Sequence, residues 1–519
     1  MSSSLKSKTV RALSWSFVET VGMRGLQFAI WIILARLLVP DEFGLMGMLA
    51  IFLALAQTFL DSGFGAALIQ KQDATHVDSC SIFYCNIVVG LIAAGLLCLA
   101  APWIAGFFHE PILTPLTRFL SLNIVINSFG LIQTTLLVKR IDFKTQTKIS
   151  LTAVVASGVI SVTLAFNGFG VWSLAIQMLC TNLFRTVLLW IFNSWRPSLV
   201  FSFTALRPLF AFGSRLLTAS LMNTIFQNIY LVVIGRLFSA GILGFYARAK
   251  MFQELPTISL SQLVDRVMFP VFSAIQDDTE RLKQNMQKAL KTLALVNFPL
   301  MIGLAVVAKP LVLVLLTDKW APCIPYLRLL CVAGMLYPLH AINLNVLKAQ
   351  GRSDRFLQLA SIDHALQIVA LVITIPWGIE GILWGYIASS IICYGVNTWY
   401  TVRMVHYSLR EQIRDILPYL LMAGAMGSIA WAFQYLPIPY VTVLLLQVTV
   451  GLAVYLLLCN LFRPSAFVEG WAVLTARGSS RVKSRRANSG RRTIVLHKGR
   501  LAYKIAHRRW DTRQTYEQE

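Results

Sequence analysis

Charge is what this sequence has least of. Only 13% of its 519 residues are Asp, Glu, Lys or Arg, against 56% that are hydrophobic. Soluble domains carry about 25% charged residues, so the chain lacks the polar surface that would keep it in water. Acidic residues are the scarcer sign: 23 Asp and Glu stand against 46 Lys and Arg, a formal net charge of +23. There are eight cysteines, most of them inside apolar runs, with no CxxC pair and no Cys/His spacing of a zinc site. They read as small buried hydrophobes, so neither a disulfide framework nor a metal centre is expected. Gly63 and Gly65, or Gly168 and Gly170, complete no phosphate-cradling loop and read as close-packing or turn positions. No cofactor is expected. Connections between apolar stretches are too short to hold a catalytic domain, and Asp41-Glu42, His109-Glu110 and Asp318-Lys319 on them form no clustered constellation. An enzyme is therefore not expected. The first residues, MSSSLKSKTVRAL, show no small-residue cleavage site after a short apolar core, so the first apolar stretch reads as retained.

What is abundant is apolar sequence in lengths of ~20 residues, enough to cross a hydrocarbon core. The reading is an all-α polytopic membrane protein with about fourteen spans, or twelve if one weak pair is overcounted. They begin near Leu13, Phe43, Ser81, Leu116, Ile149, Val171, Leu206, Gly241, Ala289, Ile324, Leu357, Gly381, Ile416 and Val441. Basic residues mark alternate connections: Lys139, Arg140 and Lys144, then Arg281 and Lys283, then Lys348 and Arg352, then Arg403 and Arg410. The connections around Asn167-Gly168 and Leu436-Pro437 carry none. Positive charge stays inside, which places both termini in the cytoplasm and the protein in the cytoplasmic (inner) membrane.

Two halves are expected. Gln27, Arg36, Leu37 and Gly44 recur 200 residues later as Gln227, Arg236, Leu237 and Gly244. Same-order repeats imply two six-helix lobes around a shared path. The expected divisions are a cytoplasmic N-terminus (1–12), an N-terminal lobe (13–195), a C-terminal lobe (206–405), two additional spans (415–462) and a basic cytoplasmic tail (463–519). That tail holds 14 of the 46 Lys and Arg but 4 of the 23 Asp and Glu. It reads as a solvated, disordered segment, with attraction to anionic lipid of the inner leaflet as the sharper alternative. Nucleic acid is not an expected partner, because no aromatic-interleaved module accompanies the charge.

Three stretches carry a family resemblance: FLDSGFGAALIQKQD (Phe59 to Asp73), LGFYARAK (Leu243 to Lys250) and DRVMFPVFSAIQDDTERLK (Asp265 to Lys283). They resemble the second and eighth spans of bacterial polysaccharide flippases, in the polysaccharide transporter branch of the multidrug/oligosaccharidyl-lipid/polysaccharide exporter superfamily. The resemblance covers roughly residues 10 to 460 and leaves the basic tail outside. It implies translocation of an oligosaccharide linked to an undecaprenyl-type pyrophosphate lipid, for surface polysaccharide or lipopolysaccharide synthesis, through a cationic cavity that alternates between two openings. It also implies other polysaccharide assembly proteins as partners. A peptidoglycan-precursor flippase and a cation-coupled drug exporter remain alternatives, with a membrane-embedded glycan polymerase or ligase behind them.

Ionisable residues at membrane depth cost about 2.5–3.5 kcal/mol each on insertion scales, so those present need a partner or a purpose. Arg24 and Gln27 share a face of the first span, and Arg215, Asn223 and Gln227 share an arc of the seventh. Arg248 and Lys250 lie in the eighth, with Glu254 one turn beyond. These seven residues, Arg24, Arg215, Arg248, Lys250, Gln27, Asn223 and Gln227, are the candidate substrate-binding set, because guanidinium forks suit pyrophosphate oxygens. For Lys250 a simple pair with Glu254 is an equal reading. Arg36, Arg236 and Asp61 lie near span ends and read as structural charges or as snorkelling side chains. Asp363 and His364, inside the eleventh span, are candidates for binding H+ or Na+ as a coupling ion, with structural pairing an equal alternative. His340 and Asn343 read as an interhelical hydrogen bond. Pro256, Pro299 and Pro376 read as packing accommodations, with hinges as the alternative.

Overall fold

The computed structural model of the protein describes residues 22–469, apart from residues 62 and 72 and a few further side chains, Arg215 among them. The expected first-span start at Leu13 and most of the basic tail lie outside the described residues. Among the described residues fifteen α-helices follow one another: α1 (22–37), α2 (Pro40–Asp61), α3 (Phe64–Gln70), α4 (His76–Phe108), α5 (Leu113–Lys139), α6 (Phe143–Phe166), α7 (Val171–Phe192) and α8 (Phe203–Leu237). Then come α9 (Ala240–Ala274), α10 (Thr279–Leu315), α11 (Cys323–Ala349), α12 (Ser353–Thr374), α13 (Gly378–Val405), α14 (Leu409–Ala432) and α15 (Tyr440–Phe462). No strand occurs among the described residues.

α3 is a short connecting helix, and the other fourteen, α1 being described only from residue 22, are compatible with the fourteen expected spans. By length and apolarity ten stretches qualify as membrane spans, one of them, Asp354–Val405, running through both α12 and α13. The described part of α1 is short, and α8 and α9 are interrupted by polar and charged residues such as Asn223, Gln227, Arg248, Lys250 and Glu254; these three fall outside that set.

Local chemistry fixes the helix ends. Thr75 and Asp78 form a capping box at the start of α4, and Ser408 and Glu411 another at the start of α14, each satisfying two orphan N–H groups. Lys71 then pairs with Asp78 at 2.8 Å and Lys283 with Glu411 at 3.0 Å, so each cap also ties its helix to a neighbouring segment. Ser239 caps α9 through the amide of Ile242. Gly63 adopts φ 72, a left-handed conformation that separates α2 from α3.

The repeat is visible in the geometry. α1 ends at 37 and α2 begins at 40; α8 ends at 237 and α9 begins at 240. α2 and α9 cross near their N-termini so closely that a side-chain carbon on Gly44 would collide with the Ala240 carbonyl, and one on Gly244 with the Pro40 carbonyl. Both contacts pair a residue of one half with the 200-shifted neighbour of its counterpart. That reciprocity is what a pseudo-two-fold axis between the halves produces. Only glycine permits it, because any Cβ would hold the backbones apart.

α14 and α15 pack on α10 and on each other. Lys291 pairs with Asp415 at 3.0 Å, and the Tyr455 hydroxyl donates to the Leu295 carbonyl at 2.8 Å. The opposite face of α15 leaves Leu445, Leu452, Leu457 and Leu461 exposed, as expected of a surface whose solvent is lipid.

Candidate functional site

A cavity of about 850 Å³ lies among α1, α2, α5, α6 and α7 and reaches α8 and α9. Along α2 its lining runs from Phe43 to Gln57, a rise of about 20 Å at 1.5 Å per residue. Among the described residues neither Asp nor Glu lines it; Arg185 and Arg248 both do. Two i, i+4 ladders supply most of the polar wall: Asn123 and Asn127 on α5, and Gln177, Thr181 and Arg185 on α7. The amides are tied across helices. Asn182 donates to Asn123 Oδ1 at 2.8 Å, and Asn127 donates to Gln57 Oε1 at 2.6 Å. Gln57 in turn donates to Asp61 at 3.0 Å.

At the end nearest the α1–α2 turn the cavity stops at Arg248. This guanidinium is only 4% exposed, yet no carboxylate pairs with it among the described residues. Its neighbours are π faces: the ring of Phe43 at 4.0 Å, Trp31 at 4.3 Å and Trp320 at 5.7 Å. Cation–π contact is worth about 2 kcal/mol or more when desolvated, which offsets part of the burial cost. Nη1 reaches only the Met251 sulfur at 3.1 Å, and Nε has no partner. The site is thus a buried cation with unused donors at the end of a polar chamber.

Trp320 belongs to the α10–α11 turn and is fully buried. Its indole N–H donates to the Ala35 carbonyl at 2.7 Å, while Lys319 donates to the Arg36 carbonyl at 2.7 Å. Arg36 donates to the Leu315 carbonyl at 2.8 Å and to that of Val314, the free carbonyls at the C-terminus of α10. Its repeat counterpart Arg236 reaches His109, the C-cap residue of α4, and lies 5.2 Å from the Phe107 ring. Each half therefore sends an arginine to the end of the corresponding helix in the other half. With the Gly44/Gly244 crossing, these contacts close the bundle at the α1–α2 end.

Of the other expected residues, Gln27 also lines this cavity, whereas Arg24, Lys250, Asn223 and Gln227 are not among its lining residues. Arg24 donates to Ser259 at 2.8 Å and Gln262 at 3.4 Å, joining α1 to α9. Lys250 donates to the Gln227 carbonyl at 3.1 Å and stands 3.7 Å from Glu254, and Gln227 donates to Asn223 at 3.3 Å. The Arg215 side chain lies outside the described residues. Sequence reasoning passed over Arg185 and the amides of α5 and α7. The signal was present, as polar residues at i, i+4 spacing inside two otherwise apolar spans.

In the second half Asp363 and His364 diverge. Asn397 donates one amide N–H to Asp363 Oδ2 at 3.1 Å and the other to His340 Nδ1 at 3.1 Å, and His340 Nε2 meets Ser390 Oγ at 3.3 Å. His364 instead stacks flat on Phe226, centroids 3.8 Å apart. Asp363 Oδ1, Asn397 Oδ1 and Asn343 Oδ1 are buried without a hydrogen-bond partner. His340 therefore joins the Asp363 network through Asn397.

Residues 33–325 match the polysaccharide biosynthesis protein family. The lipopolysaccharide biosynthesis protein WzxC of Escherichia coli (strain K12) is 30% identical over 441 residues, 82% of this chain and 89% of its own. The chain belongs to this family. Within it, the succinoglycan biosynthesis transport protein ExoT of Rhizobium meliloti is 31% identical over 341 residues, 65% of this chain and 69% of its own. Among solved structures, the lipid II flippase MurJ in an inward closed conformation superposes with a TM-score of 0.69 at 16% identity, covering 87% of this chain and 98% of that one. At that identity the likeness shows the fold alone. The family member described here is thus a multi-pass, all-helical membrane protein with a MurJ-like arrangement.

Proposed function

We propose that this protein is a flippase: it carries a lipid-linked oligosaccharide, on an undecaprenyl-type pyrophosphate, across the cytoplasmic membrane by alternating access. The observation that carries the reading is Arg248, a buried cation with no acidic partner among the described residues, at the end of a polar cavity. A site that keeps a charge unpaired in this way is built for an anion that comes and goes. The family's relatives, named for lipopolysaccharide biosynthesis and succinoglycan transport, point to the same cargo. Among the described residues the cavity is lined by two arginines and by no carboxylate, which favours an anionic cargo over a cationic drug.

In this reading residues 13–195 and 206–405 are the two lobes, and the α1–α2 end is the periplasmic side, closed in the conformation described here. Both termini are cytoplasmic. Arg248 is the principal contact of the pyrophosphate at the closed end, with Arg24, Arg215 and Lys250 along its route and Gln27, Asn223 and Gln227 as hydrogen-bonding neighbours. The prenyl chain stays in lipid. Asp363, with His340 and Asn397 beside it, is the candidate site for H+ or Na+ coupling, and His364 is a second titratable group on the same helix. Other assembly proteins that extend the glycan would receive the product.

The test is carrier-linked glycan in a deletion strain complemented by wild type, Arg248→Ala, Arg24→Ala or Arg215→Ala. Trapped cytoplasmic-face glycan, released by wild type but not by Arg248→Ala at equal protein level, is the expected result. Normal export in the deletion strain, with no redundant transporter, overturns the assignment. For coupling, Asp363→Asn is expected to flatten the dependence of transport on the ion gradient; an unchanged dependence removes Asp363 from the mechanism.

A further inference from the structure

The chamber beneath Arg248 is more elaborate than a pyrophosphate needs. A diphosphate asks for cations and N–H donors, which accept nothing in return. The wall here is instead made of side-chain amides, each of which both donates and accepts. Their existing bonds use only part of that capacity. Asn127 spends one N–H on Gln57, and Asn182 donates to Asn123 and more weakly to the Met178 carbonyl at 3.4 Å, which leaves the Asn182 amide oxygen as its open group. Gln177, at the start of the α7 ladder, lines the cavity and has no side-chain partner among the described residues. Amides at membrane depth are costly when unsatisfied, so an arrangement that leaves them open in a cavity implies a guest that satisfies them.

Resting on the flippase reading, we propose that this N-terminal chamber is the glycan compartment, and that Asn127, Gln177 and Asn182 help determine which repeat unit is accepted. The ligand class is a hydroxyl-rich, uncharged or anionic oligosaccharide. Sugar hydroxyls are donors and acceptors at once and match the amides in both roles. The side chains of Met23, Met46 and Met178, with the Trp31 face, give the adaptable apolar contact that C–H faces of a pyranose require. The volume, about 850 Å³, lies in the ~300–1,000 Å³ range of small-molecule sites, so it holds a few sugar units and not a finished polymer. The carrier's anion sits at the Arg248 end while the sugars extend along the amide ladders toward Arg185. An acidic sugar or an acidic substituent, if the repeat unit has one, falls near that second guanidinium.

The experiment compares two cargoes in cells lacking the chromosomal copy. One strain makes the complete repeat unit on its carrier; the other has only the first glycosyltransferase and makes the carrier bearing a single sugar. Export of each is measured in spheroplasts by accessibility to an external periodate label, for wild type, Gln177→Leu, Asn127→Leu and the conservative Gln177→Asn, at matched protein levels. Gln177→Leu and Asn127→Leu are expected to lower the ratio of full-unit to single-sugar export at least about tenfold, the effect of roughly 1.4 kcal/mol. Gln177→Asn is expected to recover part of that ratio. Equal reduction of both cargoes, or a wild-type ratio throughout, overturns the chamber assignment while leaving the flippase reading standing. If the strain without the protein traps neither cargo, it is the flippase reading itself that fails.

Discussion

At the scale of single residues, the informative ones are those that violate the solvent they sit in. Arg248 is buried at a cost that three aromatic faces only partly offset. Trp320 is one of these faces and also the donor to Ala35. Trp320→Ala is expected to destabilise the protein by about 3–5 kcal/mol, through the cavity left behind. Trp320→Phe, which keeps a ring and loses one hydrogen bond, is expected to cost about 0.5–1.5 kcal/mol beyond any repacking. Thermal unfolding in detergent micelles checks both; equal losses for the two variants would show that the ring is not what matters. The sequence made Arg248 visible as a charge out of place, but not its cage. Trp31, Phe43 and Trp320 are separated by 12 to 289 positions, and no local pattern joins them.

At the scale of elements, the crossing of α2 and α9 depends on absent side chains. Gly44→Val is expected to prevent the backbones from meeting and to abolish export, whereas Gly25→Ala, which faces nothing within 4 Å, is expected to be silent. Membrane protein level and glycan export measured together separate a failure to fold from a failure to close. The α14 cap is a more modest device. Ser408→Ala removes the acceptor for the Glu411 amide and is expected to lower stability by about 1 kcal/mol, read as a fall in unfolding temperature. The helices themselves were legible because apolar runs of span length leave little else for a chain in lipid to form. The break between α2 and α3 was not. Gly63 reads equally as a packing glycine until its positive φ is seen.

At the scale of the whole molecule, the two halves hold one end shut by reciprocal contacts. Arg36 reaches α10 and Arg236 reaches α4, so neither half closes alone. If this end opens during transport, the double variant Arg36→Gln/Arg236→Gln is expected to expose the cavity from outside. A cysteine placed at Met251 in a background without the native cysteines should react with an impermeant maleimide faster in the double variant than in either single one. Identical rates in all of them would mean that these arginines serve only as helix-end partners. Both lie near span ends, where the sequence alone favoured a structural or snorkelling role, and the contacts with carbonyls and a helix cap agree with a structural one.

The sequence by itself determined that this chain lives in a membrane, that it is helical, that it is organised as a repeat, and which family it resembles. Those properties follow from composition, run length and short motifs, which are local. It also pointed to Gln27 and Arg248, because polar residues in an apolar span are conspicuous one at a time. Only the tertiary structure decided that these two share a cavity with Arg185, Asn127 and Gln177, while Arg24 and Lys250 are taken up by α9 and α8 partners. Which polar faces meet depends on the rotation and crossing of helices, and lipid is indifferent to that choice. The close glycine crossing and the interhelical hydrogen bonds supply the preference that the solvent does not.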